Sequence, residues 1–531
     1  MSNLNNGPEG LDLKSKVGQL FMCGFHGDVP ADGIRRLIEE YGVGGVIYFR
    51  RNLKDASQVE RLTKSLQEMA TVPLLVSIDQ EGGMVVRLED GVTVMPGAMA
   101  IGAAGNAEWA REAARHAGAE LRAIGINMNF PPCLDVNNNP RNPVIGVRSY
   151  GEKPHQVAEL GTASVRGYQE SGMAAVAKHF PGHGDTAADS HHALPAVPHG
   201  RDRLDAVELV PFRAAIAAGV DAIMTAHVVF PAYEPDGVPA TLSKRILTGL
   251  LRDQLGYDGV VVTDCLEMNA VSETIGVARG AVEAVRGGAD LILVSHRLDR
   301  QIAALEAVYE AVLAGEIPVS RIDEAVRRIW ALKERRGLLA KTASVVPDYA
   351  RAAETARKLS EQAVTVVKGE NRLPLRTGSR TLVVWAEARA STEVVEAVEQ
   401  SWTLGAALRS EGLDVAEIAI GLEPTEAERA DVMAAVVSAD AIVFASYDAC
   451  FSPSQSALIR MLNASAEATG RNFVLASLRT PYDLLEAPTV PVYICAYENK
   501  PAMMSALAGV LAGRLPALGR LPVTLGEYPC R

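Results

Sequence analysis

The sequence predicts a (β/α)8 TIM-type barrel followed by a smaller three-layer α/β/α sandwich. Three observations carry that reading. Eight short apolar runs alternate with amphipathic stretches over the first 340 residues. Polar residues recur where those runs end. Beyond residue 340 a second, shorter series of strand and helix patterns begins.

The eight runs are "VGQLFMCGF", "VGGVIYF", "VPLLVSIDQ", "GINMNFPP", "MAAVAKHF", "VDAIMTAH", "DGVVVTD" and "ADLILVS". They are nearly continuous in apolar residues, as strands buried on both faces must be. Between them lie helical patterns such as "ADGIRRLIEEY", "DASQVERLTKSLQEMA", "NAEWAREAARHAGAELRAIG" and "RDRLDAVELVPFRAAIAAG". Eight repeats fit a closed barrel better than an open doubly wound sheet. Asp79, Asp135, His179, His227 and Asp264 fall at the carboxyl ends of successive runs, the face on which a barrel collects its reactive groups.

After residue 340, "KTASVVPDYA" reads as a linker and "ARAAETARKLSEQAVTVVK" as a helix. The runs "TLVVWAE", "ADAIVFASYDA", "NFVLASLRTPYDL" and "VPVYICAYE" then predict strands of the second unit. The expected organisation is a catalytic barrel over 1–340, a linker and connecting helix over 341–369, and a sandwich over 370–531. No glycine-rich phosphate loop occurs in the second unit, so no nucleotide and no other cofactor is expected.

Composition narrows the partners. A formal net charge of −12 argues against nucleic acid, which demands a basic face. No uninterrupted apolar stretch approaches a membrane span, so no membrane association is expected. The six cysteines have no paired spacing and read as reduced thiols. The first residues lack a basic start followed by an apolar run, so the expected compartment is the cytoplasm.

The stretch "KHFPGHGDTAADSHHALP" gathers four of the ten histidines within fourteen positions. His179 and His183 have the spacing of a helical zinc pair, but Pro181 and Gly182 between them would break the helix, and no metal is expected. Asp189 stands two residues before His191, so in an extended loop both side chains project to one side. A carboxylate near an imidazole fixes its tautomer and raises its pKa, which makes His191 a candidate general acid and base. Asp264, at the end of "DGVVVTD", either caps the next helix or serves as a nucleophile toward an anomeric carbon.

Together, "VSIDQEGG" with "VRL", "GVRSYGEKP", "KHFPGHGDTAADSHHALP" and "DGVVVTDCLEMNAV" resemble glycoside hydrolase family 3, in particular its bacterial β-N-acetylglucosaminidases of cell-wall recycling. The resemblance spans the barrel and extends more weakly into the second unit through "LSEQAVTVVKGENRLPL" and "GRLPVTL". It implies that Asp264 is the nucleophile of a retaining mechanism, that His191 is the acid/base and that Asp189 orients it. It further implies that Asp79, Arg87, Arg148, Lys178 and His179 hold the N-acetylglucosamine and that Met268 lines that subsite. The implied substrate is a small carbohydrate with terminal β-linked N-acetylglucosamine, from a muropeptide or a chitooligosaccharide. A phosphorylase using the same site, a β-glucosidase-type member and a silent sugar-binding protein are the alternatives. Two positions depart from the family pattern. Met84 replaces an arginine, removing a positive charge near the pocket, and Cys265 replaces an aspartate directly after Asp264.

Overall fold

The structure is a computed structural model that describes residues 4–187, 194–340, 346–387, 400 and 402–531. Eight parallel strands form the first sheet: β1 (Phe21–Gly24), β2 (Gly45–Tyr48), β3 (Leu75–Ile78), β4 (Met128–Asn129), β5 (Ala174–Phe180), β6 (Ala222–Thr225), β7 (Val260–Val262) and β8 (Ile292–Val294). They follow one another in the order β7-β6-β5-β4-β3-β2-β1-β8. A parallel bridge from Val262 to Leu291, with Thr263 N–H donating to the Leu291 carbonyl at 2.9 Å, joins the ends into a barrel. β4 is only two residues long because Pro131 and Pro132 follow it and have no N–H to donate. Their carbonyls still accept from Val176 and Lys178 of β5, so the wall stays continuous there.

Side chains alternate between two cores along the strands, as their two-residue period requires, up to Lys178 in β5, after which the register shifts and Phe180 joins the outer core. Met22, Ile47, Leu75, Met128, Val176, Met224, Val262 and Leu293 point inward and pack together. Their neighbours Cys23, Val46, Val76, Ala177, Ile223, Val261 and Ile292 point outward against the helices. Ile329 and Leu332, from the helix Val319–Arg335, join the inner cluster at the amino end. At that end Asp290 receives Arg252, Arg321 and Arg328, and Asp221 receives Arg335 and Arg336.

The second sheet has six strands: β9 (Thr365–Lys368), β10 (Arg380–Glu387), β11 (Asp414–Gly421), β12 (Ala441–Ser446), β13 (Asn472–Ser477) and β14 (Val492–Cys495). The order is β11-β10-β12-β13-β14-β9, all parallel except β9, which runs antiparallel to β14. Helices Tyr349–Ala363, Leu404–Ser410 and Pro501–Leu511 pack on one another, while Glu426–Val436 and Pro453–Thr469 pack against the central strands, making the three-layer sandwich. Two strands depart from the sequence reading. The expected connecting helix stops at Ala363 and gives way to β9, because "TVVK" is β-branched and finds an open sheet edge. β11 lacks an apolar run because it is the other edge and is largely open to solvent. Among the described residues, no helix is long and apolar enough to cross a membrane.

The second unit is seated on barrel loops that rise from the carboxyl ends of the strands. Met99, Ala100, Ala103 and Val147 of those loops belong to its apolar core. Tyr482 Oη accepts from Asn137 Nδ2 at 2.7 Å, and Lys500 pairs with Glu89 at 2.9 Å. The buried Glu498 accepts the Gly97 N–H at 2.7 Å. Burial pushes its carboxyl up to about 7, against the opposing pull of that N–H and of Lys500. A carboxyl raised in the folded state holds its proton more tightly there than in the unfolded chain. Its contribution to stability is therefore full below the unfolded carboxylate range and is lost as pH rises through about 7. Glu498→Gln keeps an acceptor for Gly97 and does not ionise. Calorimetric melting is expected to show this variant gaining on the parent chain over roughly pH 5 to pH 8, and a constant difference would contradict it.

Candidate active site

Strand parity aims the polar residues as well as the apolar ones. Asp79 follows β3 in step with Leu75 and Ser77, Lys178 follows Val176 within β5, and Asp264 follows Val260 and Val262 of β7. All three therefore face the barrel axis at its carboxyl end. There they line a cavity of about 660 Å3 together with Arg87, Arg148, His179 and Met268. Asp189 and His191 lie outside the described residues.

One wall is a chain of charged groups. Lys178 Nζ donates to Asp79 Oδ1 at 2.8 Å and meets Glu81 Oε1 at 2.6 Å. Arg148 reaches the same Glu81 carboxylate through two nitrogens, at 3.1 and 2.8 Å. Arg148 also approaches His179 Nε2 at 3.4 Å, and His179 Nδ1 faces Asp135 Oδ2 at 2.7 Å. The Lys178 side chain is only 2% exposed, so these contacts decide its charge. Burial disfavours the ammonium, but Asp79 and Glu81 outweigh it and hold the pKa above the usual lysine value. Burial likewise opposes ionisation of Glu81, and Arg148 and Lys178 outweigh it, holding the carboxyl well below the ordinary range. Asp135 follows the same pattern, with His179 and His183 as the groups that keep it ionised.

The histidine pair does not converge on a common point. The rings of His179 and His183 are 5.9 Å apart and edge to face. His179 Nδ1 is taken by Asp135, and His183 Nδ1 lies 2.8 Å from Thr186 Oγ1. Burial and the neighbouring His179 pull His183 down to about 4, so its ring is neutral at physiological pH.

The facing wall carries Asp264, whose Oδ1 accepts the Cys265 N–H at 2.7 Å. Cys265, Glu267, Ser295 and His296 continue it, and Phe49, Arg50 and Arg51 close the rim. Burial, reinforced by the Glu267 carboxylate, pushes the Cys265 thiol up to about 12. Met268 stands at the start of the short helix Asn269–Ser272 and is buried against the barrel's inner cluster.

Sequence reading passed over several of these residues. Glu81 sits inside "VSIDQEGG" and is two positions beyond Asp79, so the same parity places it inward. Phe49 and Arg51 extend the step of Ile47, and Ser295 extends that of Leu293, so counting in twos past each strand would have found them too. Met84 stands near the cavity without lining it: Gly82 and Gly83, both at positive φ, turn the chain so that residue 84 lies beside Glu81 and Arg148 and packs against the second unit's apolar core.

A barrel with charged groups assembled at the carboxyl ends of its strands is the architecture of an enzyme. Residues 12–332 match the glycosyl hydrolase family 3 N-terminal domain. The solved β-N-acetylglucosaminidase of family 3 from Paenibacillus sp. str. FPU-7 superposes with a TM-score of 0.94 and 54% identity, covering 97% of this chain and 99% of that one. A beta-hexosaminidase A from Pseudoalteromonas piscicida is 32% identical over 93% of this chain and 91% of its own length. A beta-hexosaminidase from Thiobacillus denitrificans is 38% identical over 53% of this chain and 80% of its own length. The chain belongs to glycosyl hydrolase family 3 and is a glycoside hydrolase.

Glu81→Gln removes the negative charge that Lys178 and Arg148 share. Charge-assisted hydrogen bonds of this kind are worth about 1.5–3 kcal/mol each. The variant is expected to lose roughly ten- to a hundredfold in kcat/KM on a chromogenic glycoside, mainly through KM. Wild-type kinetics in Glu81→Gln would show that the wall does not depend on this carboxylate.

Proposed function

We propose that this chain is a retaining exo-β-N-acetylglucosaminidase, with Asp264 as nucleophile and the Asp189–His191 pair as acid/base. The observation that carries the reading is the convergence of Asp264 with Asp79, Arg87, Arg148, Lys178 and His179 on one cavity. The names carried by the Pseudoalteromonas and Paenibacillus relatives support the choice of sugar.

In this mechanism the charged wall binds the sugar hydroxyls and acetamido group, while Met268 supplies apolar contact. An Asp264 oxygen attacks the anomeric carbon as the glycosidic C–O bond breaks, and the His191 imidazolium gives its proton to the leaving oxygen. Water then attacks the same carbon, passes a proton to the neutral imidazole and releases Asp264. Asp189 holds the imidazole's tautomer and stabilises its charged form. Muropeptide or chitooligosaccharide fragments in the cytoplasm are the substrates we assign. Six unpaired cysteines support a reducing compartment.

The deciding experiment is incubation with p-nitrophenyl β-N-acetylglucosaminide, with and without inorganic phosphate. Free N-acetylglucosamine, first released as the β-anomer, is expected in both. A glycosyl phosphate product would replace hydrolysis with phosphorolysis. Asp264→Ala is expected to abolish turnover, and a fluorosugar inactivator should label Asp264 alone by mass spectrometry of peptides. His191→Ala should lose far more activity on substrates with poor leaving groups than on activated ones, because a good leaving group needs little protonation. Equal losses on both substrate classes would remove His191 from the acid role.

A further inference from the structure

The cavity wall beside Asp264 holds three side chains that the charged wall does not use. Cys265, Glu267 and His296 present a thiol, a carboxylate and an imidazole whose ligand atoms all lie within 4.8 Å of one another. Each makes contacts of its own. The backbone of Cys265 is pinned twice, its N–H donating to Asp264 Oδ1 and its carbonyl meeting His227 Nε2 at 2.9 Å. The Glu267 carboxylate accepts the backbone N–H groups of His296 at 2.6 Å and Arg297 at 3.1 Å. The His296 ring lies against Phe49, with centroids 5.2 Å apart. Supports of this kind orient metal ligands from behind.

We propose that Cys265, Glu267 and His296 bind a thiophilic divalent cation of the zinc class, and that the bound ion shuts the sugar cavity. The donor set decides the class. Sulfur and imidazole select zinc and its neighbours, whereas magnesium and calcium need oxygen ligands. Zinc bonds of about 2.3 Å to sulfur and 2.0–2.1 Å to nitrogen or oxygen put tetrahedral ligand atoms about 3.5 Å apart. The trio therefore contracts by about 1 Å at its widest. His296, exposed at the rim, supplies that movement. As the metal–sulfur bond forms, the thiol proton passes to solvent. Three protein ligands leave one position for water. An ion held beside Asp264 takes up space that a sugar needs to bring its anomeric carbon to that carboxylate. The binding half of the proposal stands on geometry alone, and the inhibition half rests on the role given to Asp264 above.

The test uses the full chain, dialysed against a chelator and titrated with Co2+ by absorption and with Zn2+ by calorimetry. One equivalent is expected, with a thiolate-to-cobalt charge-transfer band. Cys265→Ser should erase the band and weaken zinc at least about tenfold. His296→Gln, at an exposed position, should weaken zinc to a similar degree while keeping the band. Zinc should lower turnover of the parent chain, a chelator should restore it, and Cys265→Ser should need at least about tenfold more zinc for the same loss. Absence of the band, or unchanged zinc affinity in Cys265→Ser, overturns the site. One equivalent of zinc bound through Cys265 with turnover undiminished overturns the inhibition.

Discussion

Lys178 and Arg148 are both withdrawn from water, and both lean on the single carboxylate of Glu81. A buried cation without a partner would neutralise itself or open the structure to solvent. Glu81 removes that choice for two of them at once. Its position also ties together elements that are far apart in the chain, since Lys178 belongs to β5, Arg148 to the loop after β4 and Glu81 to the loop after β3. Arg148 then approaches His179, and His179 is anchored on Asp135. The charged wall is thus one connected body, and the orientation of any member depends on the carboxylate at its centre.

The second unit bears on that body through the loops that carry it. Tyr482 meets Asn137 in the loop leading to Arg148, and Glu498 holds Gly97 in the loop that follows Glu81. Lys500 pairs with Glu89, which also receives Arg50 from the rim of the cavity. The opposite wall, with Asp264, rises from β7 and draws its support from the barrel itself. In this chain the sandwich braces the loops of the charged wall and leaves the wall that carries Asp264 to the barrel.

Much of the barrel was legible because a strand buried on both faces has to be apolar throughout, and eight such runs stand out. The same property hid the direction of each side chain, since an unbroken apolar run does not mark its inner face. Asp79, Lys178 and Asp264 resolve that ambiguity in the structure, for they share the step of the inner core. Edge strands were the failure. β9 continues directly from a helix and reads as part of it, and β11, half-open to solvent along most of its length, does not show the run that burial imposes. Glu81 was passed over for a different reason. A glutamate before two glycines reads as turn chemistry, and only the three-dimensional meeting of Lys178 and Arg148 gives it a task. Asp189 and His191 were legible only as a motif, and they fall outside the described residues.

The alternation of inner and outer side chains makes the barrel core and the trio Asp79, Lys178 and Asp264 obey a single count. Losing one residue within β5 would turn Lys178 toward the helices and Ala177 toward the cavity, and the packing of both cores would be exchanged at the same stroke. Length can therefore vary only outside that count, in the loops above the cavity and the helices around it. The strands act as a reading frame that evolution must keep, while the loops are free text. New specificities in a chain of this kind will be written above the strand ends, over a frame that permits no insertion.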